Sequence, residues 1–405
     1  MTDVVILGGG AAGLSLGVML KSEVPEMSVT LLERSDRVGK KLATTGNGRC
    51  NITNIDLNPE CYHGESAFAA DILSRFGYDC QKEFFKNLGV LFTVEDGGKV
   101  YPKSLQAASV VDALRFRADE LGVNTVLNST VTEVKREGDG FAVICADKTV
   151  KSRVVVVAAG GQAGGRLGST DGYCVLKSMG HKIERVFPSV VQLKTESSVV
   201  RQLKGVKVDA VVKARSDSKS RVEFGEVLFC DYGLSGPPIL QVSRLFDGGN
   251  MVVSLDLLPD MTEYEVKEEI LRRSSMFKSR VLGDLFVGML HKRLGQVVLK
   301  CAGADLNSTC GQMTEILAVK IAKVLKSFDF KVTGNTGFEN AQVTAGGAQC
   351  AQFFPSCMSK KAKGLFAVGE VLNVDGDCGG FNLAFAWGSA NAAKNGIIEY
   401  LKQQN

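Results

Sequence analysis

Val4-Val5-Ile6-Leu7-Gly8-Gly9-Gly10-Ala11-Ala12-Gly13 opens the chain, and the way these ten residues fold decides the architecture around them. Four consecutive apolar residues, three of them β-branched, read as a strand buried on both faces, the kind found inside a parallel sheet. The glycines form a turn into a helix that carries Leu14, Val18 and Met19 inward. Gly8 permits the tight turn, Gly10 lets backbone approach a pyrophosphate, and Gly13 lets helix and strand pack closely. The free N–H groups and positive dipole end of that helix make an anion site without any basic side chain. A second strand, Val29-Thr30-Leu31-Leu32, ends on Glu33, twenty residues after Gly13. An acid there accepts hydrogen bonds from an adenosine ribose and disfavours a 2′-phosphate. A glycine turn alone is a weak signal; strand, turn, helix, strand and acid in register are a strong one.

The far end of the chain repeats this physics. Gly364-Leu365-Phe366-Ala367-Val368-Gly369-Glu370 reads as a short strand ending in glycine. A loop follows, Val374-Asp375-Gly376-Asp377-Cys378-Gly379-Gly380, and then a helix through Asn382-Leu383-Ala384-Phe385-Ala386-Trp387 to Gly396. A helix N-terminus aimed at the pyrimidine end of an isoalloxazine stabilises the charge that reduction places near N1, by about 0.3–1 kcal/mol. Asp375 suits the ribityl hydroxyls. The two glycine-bearing ends together lead us to expect FAD as the cofactor.

Between them, Val131-Thr132-Glu133-Val134, the Gly138-Asp139-Gly140 turn and Phe141 to Cys145 predict a β-ribbon. Val154 to Val157 predict another buried strand, after which the small residues Ala158-Ala159-Gly160-Gly161 let backbone lie against a ligand. From Phe187 the texture turns to alternating strands: Val206 to Val212, Val222 to Phe229 and Met251 to Leu255. Thr262 with Glu265 forms a capping box that opens a run of helices through Leu294. A further amphipathic helix carries Leu317, Ile321, Val324 and Leu325 before a strand near Phe330.

The expected fold class is α/β: a Rossmann-like FAD-binding domain (1–189 and 336–405) interrupted by a β-barrel-like subdomain (190–258 and 311–335) and a helical subdomain (259–310). No second GxGxxG with a following acid occurs, so NADH or NADPH is expected as a transient reductant rather than a resident of its own domain.

Composition narrows the partners. Apolar residues at 45% and charged residues at 23% match a globular protein, and no apolar run suffices for a membrane span. No export signal is evident at the start, so the cytoplasm is the expected location. Eleven cysteines, an odd number without a CxxC pair, suit reduced and mostly buried thiols. His63, His181 and His291 are isolated, which argues against a metal site and for structural or surface roles. The net charge of +4 is spread among acids, so a nucleic-acid partner is not expected. Oligomeric state is not legible.

Several segments carry more than a dinucleotide fold requires. GGGAAG at the start, Gly39-Lys40-Lys41-Leu42 with Thr45-Gly46-Asn47-Gly48-Arg49-Cys50-Asn51, Val343-Thr344-Ala345-Gly346-Gly347, and GEVLNVDGDCGGFNLAFAWGSA resemble the BaiN/YhiN-type bacterial flavoproteins along the whole chain. The resemblance implies an FAD domain interrupted by a barrel and a helical domain, and NAD(P)H-linked flavin chemistry, with reduction of steroid- or bile-acid-like enones as one known activity. By motif position it implies FAD contacts from Gly8, Gly10, Gly13, Glu33, Lys41, Gly46, Arg49, Asn51, Gly369, Asp375, Gly380, Asn382 and Leu383. Ala11, Arg34, Thr45, Cys50, Val131, Ala159, Gly160 and Glu370 complete the candidate set. Phe381 stands where relatives often carry Tyr, which bears on specificity if that hydroxyl touches substrate.

The leading expectation is a reductase: NAD(P)H reduces the flavin, which passes hydride from N5 to an electron-poor C=C of a hydrophobic or conjugated carbonyl compound. Arg49 is a candidate for electrostatic assistance. Tyr101 and Tyr232 are the phenols weighed as proton donors, and neither is assigned, so no catalytic residue is named. The alternatives are a flavin oxidase that uses O₂ and a flavin-dependent RNA-modifying protein, the latter requiring a concentrated basic face.

Overall fold

The computed structural model describes residues 1–404; the last residue of the expected FAD-binding segment, Asn405, lies outside them. The chain forms two compact units, Met1–Pro188 together with the chain from Ala341 on, and Ser189–Asn340.

The first unit is built on a seven-stranded sheet in the order Asn124–Val126, Val29–Leu32, Thr2–Leu7, Thr149–Val157, Gly140–Cys145, Val131–Glu137, with Leu365–Ala367 also paired to Thr149–Val157. Thr2–Leu7 runs parallel to both neighbours, Leu7 pairing with Leu32 and with Val157. The nine-residue strand Thr149–Val157 has two roles. Its first half pairs antiparallel with the ribbon strand, and its second half pairs parallel with Leu365–Ala367. Val4, Val5, Ile6 and Val154 to Val157 are all fully buried, as their unbroken apolar runs require.

The Ala11–Glu23 helix is buried from Ala12 through Lys21, so it shows no polar face over this stretch. It is sandwiched between the sheet and the long helix Phe381–Lys402, which packs against it. Lys21 is accommodated because its ammonium donates to the Pro25 carbonyl. Residues 55–120 carry no motif and supply the rest of this unit's side wall: helices Ser66–Arg75, Tyr78–Asn87 and Ala107–Glu120 and the hairpin Phe92–Glu95/Lys99–Pro102. Trp387 of the long helix fixes it in this frame. Its Nε1 donates to the Ile52 carbonyl at 2.9 Å, and its ring meets Phe85 edge-on at 5.1 Å.

The second unit holds a closed six-stranded barrel. Along Lys207–Ser216, Ala210, Val212 and Ala214 point inward at period two. Glu263–Met276, Lys292–Cys301 and Glu315–Lys326 are helices. The capping box is complete: Thr262 Oγ1 accepts from Glu265 N at 3.2 Å, and Glu265 Oε2 accepts from Thr262 N at 2.7 Å. Among the described residues no helix is long and apolar enough to cross a membrane.

Candidate cofactor site

At the N-terminal turn, Gly8 adopts φ +111°, and a Cβ there would lie 2.6 Å from the Ala158 carbonyl oxygen. A Cβ on Gly13 would lie 1.9 Å from the Gly8 oxygen. Both positions therefore need glycine for the strand and helix to meet. Gly10 differs: it is the helix N-cap, no side chain caps it, no acid occupies the first turn, and an added Cβ would face open space. The helix N–H groups around Ala11 thus open onto a cradle of positive dipole.

Glu33 is fixed at the head of this turn. Its Oε2 accepts from Gly9 N and its Oε1 from Ser35 N, both at 2.8 Å. Ser129 N donates to the Glu33 carbonyl at 2.8 Å, which brings the start of the Val131 strand to the same edge. Ala159 and Gly160, the latter at φ +70°, follow one residue after Val157, the partner of Leu7. Arg34 turns to the adjacent loop, donating to the Gly168 carbonyl at 2.6 Å and pairing with Asp171 at 3.6 Å.

The C-terminal helix begins in the same manner. Gly380 is its N-cap at φ +99°, again without a side-chain cap or an acid in the first turn. A Cβ there would meet the Thr53 carbonyl oxygen at 2.3 Å and Asn51 Oδ1 at 2.9 Å. Asn51 Oδ1 is itself buried without a hydrogen-bond partner. Asn382 staples the preceding loop, accepting from Gly376 N at 2.8 Å and donating to the Gly376 carbonyl at 2.7 Å, and Leu383 beside it is half-buried. Asp375 is fully buried, its backbone paired with His63. The His63 ring nitrogen Nε2 lies 2.7 Å from Asp377 Oδ1.

The Thr45-to-Asn51 motif breaks its helix. Thr45 is extended at ψ 150°, and Gly46 and Asn47 are both left-handed at φ 57° and 56°. Cys50 is left-handed too, and burial pushes its thiol up to about 12. Its side chain belongs to the core, and the whole residue is buried. Lys41 Nζ lies 2.6 Å from Glu370 Oε2. Glu370 also accepts from Thr344 N at 2.8 Å and Gly161 N at 3.3 Å. Gly369, at φ +73°, is held by its N–H to Ser389 Oγ at 2.9 Å. Glu370 therefore gathers three motif segments at one point. Thr344, Gly161 and Ser389 enter the site without being singled out individually in the sequence; the Val343-to-Gly347 motif was the only available signal for Thr344.

Arg49 lies with its guanidinium 4.3 Å from the centroid of the Tyr101 ring and its Nη1 2.8 Å from Glu95 Oε1. These three line a cavity of about 300 Å³ together with Asp96 and Lys99. Burial raises the Tyr101 hydroxyl above its usual value, against the lowering effect of Arg49. Tyr232, the other phenol weighed above, belongs to the barrel unit, and burial raises it as well. His181 is buried, stacked on Phe353 at 4.5 Å, with Nε2 2.8 Å from Ser359 Oγ.

A mixed sheet with a parallel centre, and two glycine N-capped helix ends that no side chain caps, are the features of a Rossmann-type flavoprotein. The HI0933-like protein Rossmann domain model matches residues 2–396, and the chain belongs to that family. A 3-dehydro-bile acid delta(4,6)-reductase of Clostridium scindens is 34% identical over 408 residues, covering 98% of this chain and all of the relative. A ribosomal RNA dihydrouridine synthase of Escherichia coli is 27% identical over 402 residues, covering 98% of each chain. The solved 3-ketosteroid delta1-dehydrogenase of Sterolibacterium denitrificans shares the fold with a TM-score of 0.51 at 13% identity, covering 98% of this chain and 99% of that one.

Proposed function

We propose that this protein binds one FAD and, reduced by NADH or NADPH, saturates an electron-poor C=C conjugated with a carbonyl. The observation that carries the reading is the pair of glycine N-capped helix ends in one unit that no side chain caps and no first-turn acid occupies, with the buried, unpartnered Asn51 oxygen beside the second. When bound, FAD supplies the hydride chemistry between the nicotinamide and the substrate carbon.

The chain's residues bind and orient. The Gly8-to-Gly13 turn holds the pyrophosphate, with Glu33 on the adenosine ribose and the Val131, Ala159 and Gly160 backbone along the adenine half. The Lys41–Glu370 pair faces the ribityl chain, while Asp375, fully buried, sits in the loop strand whose backbone pairs with His63. Gly46, Arg49, Asn51, Gly380, Asn382 and Leu383 surround the isoalloxazine, where the helix dipole favours negative charge and the Asn51 oxygen accepts an N–H. Full-length similarity to a bile-acid reductase supports a conjugated ketone as substrate.

A second reading, reduction of uridine in RNA, has its own support. The dihydrouridine synthase relative also matches from end to end. In addition, the cavity beside Arg49 is lined by charged and phenolic groups alone, which suits a polar ring. The uracil C5=C6 bond is itself conjugated with a carbonyl, so both readings share one electronic demand.

Anaerobic reduction of the FAD-loaded protein by NADH and by NADPH, followed by a steroid 4-en-3-one or a uridine-containing rRNA fragment, separates them. Reoxidation by the ketone supports the first reading, and reoxidation by the RNA alone supports the second. Reduction by neither nicotinamide, or reoxidation by O₂ only, overturns both.

A further inference from the structure

We propose that the cavity bounded by Arg49 and Tyr101 docks the conjugated carbonyl of the substrate, with the Tyr101 hydroxyl donating the hydrogen bond to its oxygen. This rests on the reductase reading above and names the residues that would recognise its substrate.

The placement comes from three contacts. Tyr101 lies against the kinked motif: a Cβ on Gly46 would be 3.4 Å from Tyr101 Cε1. The hairpin tip that completes the cavity is tied to the start of the C-terminal helix, since Asn54 Nδ2 lies 3.0 Å from both the Gly97 and the Gly379 carbonyl oxygens. The cavity therefore abuts both segments assigned to the isoalloxazine end.

Its chemistry selects the ligand. The lining has two cations, Arg49 and Lys99, and two acids, Glu95 and Asp96, so it carries no net charge. A carboxylate or phosphate would gain little there, whereas a neutral carbonyl needs only one good donor. Arg49 is already engaged by Glu95, and Lys99, whose backbone pairs with Glu95 across the hairpin, is the competing donor that K99M removes. Tyr101 is the neutral donor of the lining: its hydroxyl, raised by burial, stays protonated, and the Arg49 guanidinium lies against its ring face. A hydrogen bond at the carbonyl oxygen withdraws charge from the conjugated β-carbon, the atom that must accept hydride.

The test uses FAD-loaded protein with the flavin oxidised, so that nothing turns over. Androst-4-ene-3,17-dione carrying ¹³C at C3, and in a second arm uridine carrying ¹³C at C4, are bound to wild type, Y101F and K99M and followed by isotope-edited infrared difference spectroscopy. The proposal expects the labelled C=O stretch of at least one probe to fall on binding to wild type and K99M. In Y101F that fall is lost and Kd rises about 3- to 10-fold, with FAD content unchanged. An unshifted stretch in wild type with both probes overturns it, as does an equal shift and Kd in Y101F, or loss of the shift in K99M. A persistent shift in a wild-type protein that no nicotinamide reduces would instead defeat the reductase reading and leave the carbonyl site standing.

Discussion

Replacing Gly13 with Ala tests the phosphate turn through one atom. The new Cβ would sit 1.9 Å from the Gly8 carbonyl oxygen, against an ordinary carbon–oxygen approach of about 3.3 Å, so strand and helix must part by more than an ångström. Overpacking of this kind costs roughly 1–3 kcal/mol, and here it falls on the closed turn that aims the helix N–H groups. If the strain is carried by the bound state, FAD binds about 5- to 140-fold more weakly. Gly17, one turn further along the same helix, is the control. A Cβ there would meet Val123 Cγ1 at 3.5 Å, an ordinary contact, and alanine gains roughly 0.8–1 kcal/mol of helix propensity. G17A should therefore keep its FAD affinity and melt a few degrees higher. Titration of FAD into the FAD-free variants, followed by flavin fluorescence, with melts of the same samples, reads both quantities. FAD binding by G13A within twofold of wild type, or an equal loss in G17A, refutes the argument.

Three further outcomes follow from the same geometry. Burial lowers the His181 pKa from 6.5 to about 4, so between these values the unfolded chain takes up a proton that the folded one refuses. Stability should fall by about 2–3 kcal/mol from pH 7 to pH 4.5, and urea unfolding of H181Q should show a flatter pH dependence over that range. Iodoacetamide at pH 8 should label the exposed Cys80, Cys174 and Cys301 in the native protein while sparing Cys50 and Cys357, as peptide mass spectrometry would show. E370A leaves Lys41, Thr344 N and Gly161 N without their common acceptor. It should cost about 1–3 kcal/mol in urea unfolding, toward the lower end because the ion pair is partly exposed.

What the sequence revealed was local. The Val4-to-Glu33 segment, the Gly138 turn, the Thr262 capping box and the C-terminal helix are each specified by neighbouring residues, and each is present where its residues indicate. The contacts that complete the site are not local: Lys41 meets Glu370 across 329 positions, and Asn54 meets Gly379 across 325. No spacing rule in one sequence encodes such pairs. The wall from 55 to 120 had a readable signal in part, since Ala107, Val110, Leu114 and Ala118 fall on one buried helical stripe. The hairpin that places Tyr101 did not, because Phe92–Glu95 is short and largely half-exposed. Nor could the reading of Cys50 as a contact anticipate that its left-handed backbone sends the thiol into the core.

Calorimetric titration of FAD into gently prepared, FAD-free wild-type protein bears most directly on the two-ended grip. One FAD per chain, with a higher melting temperature and a bound-flavin spectrum, is the predicted result. No heat, no spectral change and an unmoved melting temperature at saturating FAD would contradict it.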